Sequence, residues 1–322
     1  MKCKHICITI IIIFVSFIFS LGIGRYPISI NDILNNDIKA MSVFLQLRLP
    51  RVLAAFLIGS ALACSGACFQ GIFKNPLVSP NILGAASGAS FGVALAILFS
   101  FKIQYIQLTA FCFGLLAVFM TLMMSRNIPR HDPSLSLVLS GMLVQGLFSA
   151  LVSLIKYVCD PYEKLPTITF WLMGGLGNIS LNDLIPLGSI LTLAMIPLIL
   201  LRWKMNILAL PEEEAIALGV NTKFLRRIII ICATLLSSCV VSFAGVIGWV
   251  GLVVPHMVRI MVGSNYKLVI PFSIMIGGVY LLIVDDIARS AVAFEIPLGI
   301  ITSLFGIPFF AYLLIKGRKG WS

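Results

Sequence analysis

Gly88-Ala89-Ser90-Phe91-Gly92 has the G-x-S-x-G spacing that can present a serine nucleophile. That chemistry needs a strand-to-helix elbow, and these residues instead sit in an apolar run with small residues at helical spacing. A nucleophile inside a membrane also needs a basic partner, usually a histidine. Of the three histidines, His5 and His131 fall at the ends of apolar runs, and His256 follows Pro255 in another segment. Cys64 and Cys68 share one helix face and would make half of a soft-metal site, but no histidine or further cysteine pair accompanies them. With Cys112, Cys232 and Cys239 they lie inside apolar runs, where a thiol packs as a small hydrophobe. There is no H-E-x-x-H, no carboxylate pair inside an apolar run and no G-x-x-x-x-G-K-[ST] phosphate loop. Catalysis, metal binding and nucleotide binding by this chain are therefore not expected.

Two groups of charged residues remain. Glu212, Glu213 and Glu214 follow Pro211, which suits a first helical position, and acidic residues favour the positive end of a helix dipole. Ala215 to Leu218 continue a short helix, Gly219 supplies a left-handed stop, and Asn221 can cap the next helix. A solvated connector and a docking surface are both open readings of this loop, about 203–223. The second group is Arg48, Arg51 and Arg289, each at the end of an apolar run, with Asp285 and Asp286 one turn before Arg289.

The elements that must position these residues follow from composition. Among 322 residues, 60% are hydrophobic and 11% charged, against roughly 25% charged in soluble domains. Apolar runs of about 18 residues or more, separated by short charged clusters, predict an all-α polytopic membrane protein. The predicted spans are 6–24, 52–73, 81–101, 106–125, 134–157, 183–201, 225–247, a short 252–261, 268–288 and 298–316. They form one domain, 1–322. The first is read as a retained span, because 6–24 exceeds a signal-peptide core of roughly 7–15 residues. The net charge of +11 does not form a stripe with interleaved aromatics, so nucleic acid is not an expected partner. Placing the amino terminus inside puts 15 of 23 Lys and Arg in the cytoplasm, from Lys2 and Lys4 through Arg130, Arg226 and Arg227 to Arg318 and Lys319. Both termini are then cytoplasmic, the glutamate loop faces the cytoplasm, and Arg48, Arg51 and Arg289 lie outside. Snorkelling to lipid headgroups and docking of a protein carboxylate are both open for those arginines. Gly84, Gly88 and Gly92 make two overlapping G-x-x-x-G spacings, which suit helix packing or the lining of a path.

Here the residues resemble a known family. Glu213 to Gly219 is similar to the E-A-A-x-x-x-G coupling motif of ABC-importer permeases, with Glu214 replacing the first alanine. Nearly the whole chain resembles the FecCD/BtuC-type permeases of iron–siderophore, haem and vitamin B12 uptake. The resemblance rests on Leu47-Arg48-Leu49-Pro50-Arg51, Gly71 to Leu77, Pro80 to Gly88, Trp171 to Gly175, Gly245 to Arg259, Asp285 to Arg289 and Glu295 to Phe309, in that order.

The resemblance implies ten helices per subunit, a homodimer or close heterodimer with the path at its interface, and residence in a bacterial or archaeal cytoplasmic membrane. It implies separate ATPase subunits, which carry ATP and Mg and meet Glu212, Glu213, Glu214, Ala215 and Gly219. It also implies an extracytoplasmic substrate-binding protein that meets Arg48, Arg51 and Arg289. The segments expected to line the path are helices 81–101, 134–157 and the final helix from Pro297, and the expected path residues are Gly84, Ser87, Gly88, Gly92, Pro297 and Gly299. An iron–siderophore complex is the first expectation for cargo, with haem or cobalamin as alternatives. An ion-coupled secondary transporter is the alternative of another class, and it would want ionisable groups at mid-membrane, where this sequence has almost none.

Overall fold

Every apolar run becomes a helix, and Pro, Asn and Gly mark the joints. The computed structural model describes residues 2–24, 26, 37–128, 133–208, 210, 212–292 and 294–316. Arg130, His131, Pro211, Arg318 and Lys319 lie outside the described residues, as do the side chains of Lys2, Lys4, His5 and Glu212. The first half contains α1 (Lys2–Gly22), α2 (Ile38–Ser42), α3 (Leu49–Ile72), α4 (Ala85–Leu98), α5 (Ile103–Arg126), α6 (Pro133–Val158) and α7 (Lys164–Met173). The second half contains α8 (Leu181–Leu201), α9 (Met205–Leu208), α10 (Glu212–Ala217), α11 (Thr222–Ala244), α12 (Val250–Val262), α13 (Tyr266–Ser290) and α14 (Leu298–Lys316). No strand occurs among the described residues.

Six of these helices are long and apolar enough to cross a membrane, and four shorter apolar ones accompany them. Together they correspond to the ten expected spans, so the chain is a polytopic all-α membrane protein. The short 252–261 run is α12, a 13-residue helix. The expected 81–101 span is shorter than its hydropathy suggested. A 3-10 turn over Pro80–Leu83 ends at Gly84 with φ +83°, and α4 then runs for only 14 residues. The 10-residue α7 was not expected at all, because it starts beside Glu163 and Lys164 and is too short for a span.

The core is built around α3, which is buried on every face by α8, α11, α12 and α13. Small residues make that possible. A β-carbon on Gly66 would collide with the Gly251 carbonyl of α12, and one on Gly59 with the Gly277 carbonyl of α13. Lipid tails are as apolar as leucine, so helices gain by close van der Waals contact rather than by hiding from solvent. Polar groups inside the bundle are spent locally: Ser65 donates to the Ala233 carbonyl of α11 at 2.8 Å, and Ser60 to the Ile274 carbonyl of α13 at 2.8 Å. A π-helical turn at Val43–Arg48 joins α2 to α3 and sets Arg48 at the start of this central helix.

Candidate functional site

Taking sidedness from the charge count, the outer end of the bundle holds one ionic cluster. Arg51 of α3 donates from Nε to both oxygens of Asp285, at 2.9 and 3.0 Å, and from Nη2 to Asp285 Oδ1 at 2.7 Å. The same Nη2 reaches Glu295 Oε1 at 2.7 Å. Arg289 pairs with Asp285 across 3.5 Å and with Asp286 through Nη2. It also donates to the Ser20 carbonyl at 2.5 Å, while the Ser20 hydroxyl donates to Asp286 at 2.7 Å. Arg48 donates to the carbonyls of Leu21 at 2.9 Å and Gly22 at 3.2 Å, and to that of Tyr26. Guanidinium forks thus close the C-terminal end of α1, whose last carbonyls have no helical partner and carry the negative end of its dipole.

The charge count places the three arginines at the outer end, and the structure turns their side chains inward there. Arg48 is 5% exposed and Arg289 is 7% exposed, and both spend their donors within the chain. Arg51 retains a little more surface, 13% of its side chain. The reason is electrostatic: Asp285, Asp286 and Glu295 balance Arg51 and Arg289, and the α1 terminus takes Arg48. Asp285 was expected to serve Arg289 along its own helix, but its stronger partner is Arg51, 234 positions away. Glu295 went unnoticed as a site residue, although a lone acid just before the Ile296-Pro297 start of α14 was a visible signal.

A groove of about 490 Å³ opens beside α7 and α14, lined by residues that include Leu172, Met173, Val246, Gly299, Ile300 and Ser303. None of the lining residues is ionisable, and the Ser303 hydroxyl is bound to the Gly299 carbonyl at 2.6 Å. Gly299 lines this groove, and the Pro297 carbonyl accepts from Ile300 N–H at 3.1 Å to start α14. Gly88 and Gly92 do not line this groove. They are buried in the seam between α4 and α5, where β-carbons would strike the carbonyls of Phe113 and Thr109. Gly84 is buried against Val144 of α6, and Ser87 is half-buried on α4, away from the groove lining. Their spacing reports helix packing, as small-x-x-x-small commonly does.

At the opposite end, the glutamate loop folds as expected. Gly219 adopts φ +74°, its N–H donates to Ile216 at 2.9 Å, and Val220 donates to Ala215 at 3.2 Å. These two bonds form a Schellman stop, and Asn221 accepts from Phe224 N–H at 3.0 Å to begin α11. Ala215 is buried, while Glu213, Glu214, Ile216 and Leu218 face outward. Ile216 and Leu218 are 60% and 61% exposed, an apolar pair among acids on a loop otherwise set by Lys and Arg.

This loop is tied to the central helices. Lys74, held at φ +48° just beyond α3, donates to the Leu210 carbonyl at 2.9 Å. Asn206 accepts from Tyr266 N–H at 2.9 Å at the start of α13. Arg259 of α12 donates to Gln70 of α3 at 2.5 Å and lies over the Tyr266 ring at 5.9 Å. α3 and α13 therefore carry the ionic cluster at one end and the loop anchors at the other. Sequence spacing did not reveal these anchors, because each joins residues far apart in the chain.

Comparison with known proteins gives a consistent result along the whole length. The profile of the FecCD transport family matches residues 11–316. The chain is 40% identical over 320 residues to the molybdate import system permease protein MolB of Haemophilus influenzae, covering 96% of this chain and 95% of that protein. It is 39% identical over 285 residues to the "Probable iron chelatin transport system permease protein" of Helicobacter pylori, covering 88% and 86%. Its structure matches a metal-chelate type ABC transporter solved in an inward-facing conformation, with a TM-score of 0.91, 40% identity, and coverage of 97% and 99%.

Proposed function

The chain belongs to the FecCD transport family and is a multi-pass permease of an ABC importer, and from that premise we propose its working arrangement and its cargo. Two permease subunits, identical or closely related, sit side by side and close their grooves into one path. Two ATPase subunits, which hold ATP and Mg, receive α10 on the cytoplasmic side. A substrate-binding protein docks over the outer ionic cluster, with Arg51 and Glu295 at its exposed edge and with Arg48 and Arg289 supporting it from beneath.

The single observation that carries this reading is α10. It is a short helix stopped by Gly219, with Ile216, Leu218, Glu213 and Glu214 turned outward, and the segment leading into it is bonded through Leu210 to Lys74 just beyond α3 and through Asn206 to Tyr266 of α13. Closure of the ATPases displaces α10, and α3 and α13 pass the displacement to the outer end. The permease changes no bond in its cargo. It stabilises an outward- and an inward-facing state differently, according to what is bound at each end.

The cargo we propose is an iron–siderophore complex. An ionisable-free groove suits a large chelate whose metal charge is already satisfied, since nothing in the groove wall would compete for the metal. Molybdate is the second reading, favoured by the 40% identity to a molybdate permease. ATP hydrolysis by the reconstituted complex with its own ATPase and binding protein separates the two. Stimulation by ferric siderophores supports the first reading, and stimulation by molybdate alone replaces it with the second. A complex unresponsive to ferric siderophores, molybdate, haem and cobalamin would overturn both.

A further inference from the structure

Glu295 differs from the other acids of the outer cluster. Asp285 has no exposed side-chain surface and accepts from both Nε and Nη2 of Arg51. Glu295 keeps 27% of its side chain exposed and meets Arg51 through Oε1 alone. Its other oxygen, Oε2, faces Gly177, where a β-carbon would lie 2.9 Å away. Glu295 also sits in the non-helical stretch 294–297 between α13 and α14. Two backbone bonds hold that stretch, Ile296 N–H to the Ala288 carbonyl at 3.1 Å and Leu298 N–H to the Gly174 carbonyl at 2.9 Å. Pro297 has no N–H to add. Gly299, Ile300 and Ser303 follow at once, and all three line the groove. A partly exposed carboxylate is therefore clamped to α3 within about one helical turn of the groove wall.

We propose that Glu295 is a displaceable internal counter-ion of Arg51: a carboxylate presented from outside takes its place on the guanidinium, and release of 294–297 lets the first turn of α14 move at the groove. This rests on the reading that a binding protein docks at this face. The exchange swaps one carboxylate for another, so Arg51 never loses its pairing with Asp285. Displacing Asp285 instead would strand a buried charge, which costs far more than exchanging a partly exposed partner. Among the described acids of the cluster, only Glu295 combines exposure with a single point of attachment. Arriving charge at the docking face is thereby linked to the shape of the path through a positioning residue.

Hydrogen exchange on the full complex in nanodiscs, with wild type, E295Q and E295D, tests this. E295Q removes the charge yet keeps the size and leaves the Arg51–Asp285 pair intact. The amides of Ile296 and Leu298 should exchange about 5-fold faster in E295Q, and E295D should fall between. Docking of the binding protein should speed the wild-type amides towards the E295Q rate, and E295Q should bind it about 5-fold more tightly because Arg51 has lost its competitor. Unchanged amide exchange in E295Q would overturn the clamp. Faster exchange with unchanged or weaker docking would leave a structural clamp and overturn the displacement. A wild-type complex that binds no binding protein would contradict the docking reading and the displacement with it, while the exchange comparison, which needs no partner, would still report the clamp.

Discussion

Arg51 of α3 and Asp285 of α13 approach to 2.7 Å at the outer end of a helix pair that stays in contact along its length. Gly59 and Gly277 meet backbone to backbone in the middle, and Gly71 leaves room for the Tyr266 hydroxyl at the inner end. A pair pinned at three levels behaves as one rigid strut, because packed helices with no slack between their backbones move together rather than bend. The strut connects the ionic cluster with the anchors of α10.

Asp285→Asn should destabilise the protein strongly. It leaves Arg51 with only the half-exposed Glu295, and breaking one side of a buried pair typically costs about 3–5 kcal/mol. The variant R51L/D285L/E295Q should recover much of that loss, since Arg289 keeps Asp286 and no acid of the cluster is left without its arginine. Thermal unfolding of the solubilised protein measures both; an unshifted midpoint for D285N would mean that the pair does not pin the strut.

Arg48→Ala should loosen α1 without unfolding the bundle. The carbonyls of Leu21 and Gly22 lose their donor, and interactions with a helix C-terminal end contribute up to about 2 kcal/mol when partly buried. Arg48→Lys should restore little, because one ammonium does not reproduce a fork that reaches Leu21, Gly22 and Tyr26 together. Limited proteolysis beyond Gly22 is the readout, and equal cleavage of wild type and R48A would contradict the capping role.

Ile216→Asp and Leu218→Asp should weaken ATPase binding by about fivefold or more, since losing a central apolar anchor of an interface costs above about 1 kcal/mol. Gly219→Val should uncouple transport from hydrolysis while leaving insertion and dimerisation intact, because a β-branched residue resists φ +74° by about 1–2 kcal/mol. Co-purification with the ATPase and transport per ATP check these outcomes separately.

The groove and the glycine seam should respond in opposite ways. Ile300→Trp, at a half-exposed groove position, should block cargo passage with little change in melting temperature. Gly88→Leu should lower stability by several kcal/mol, as expected when bulk is forced between close-packed backbones, and should fail before any transport defect is visible. A stable G88L protein with blocked transport would return Gly88 to the path.

Much of this was legible in the chain, and the reasons are physical. Hydropathy and punctuation located every spanning helix, because each is determined by residues next to one another. The stop at Gly219 and the cap at Asn221 were legible for the same reason. α7 was not, since a 10-residue helix carries no spanning signal and is defined by what it packs against. The arginines stand out as anomalies of charge, and Asp285 and Asp286 are legible beside Arg289 one turn away, but the partners of Arg51 are not, because its pairs with Asp285 and Glu295 bridge 234 and 244 positions. The seams at Gly84, Gly88 and Gly92 show why G-x-x-x-G alone does not locate a path: it reports closeness of backbones and not what lies between them.

ATP-driven uptake by proteoliposomes containing this chain with its ATPase and binding protein tests the central claim most directly. Uptake of the cognate cargo should require internal or external ATP on the ATPase side, and should be abolished by Gly219→Val paired with Glu213→Ala. Uptake driven by an ion gradient in vesicles lacking any ATPase, undiminished by that double variant, would contradict it.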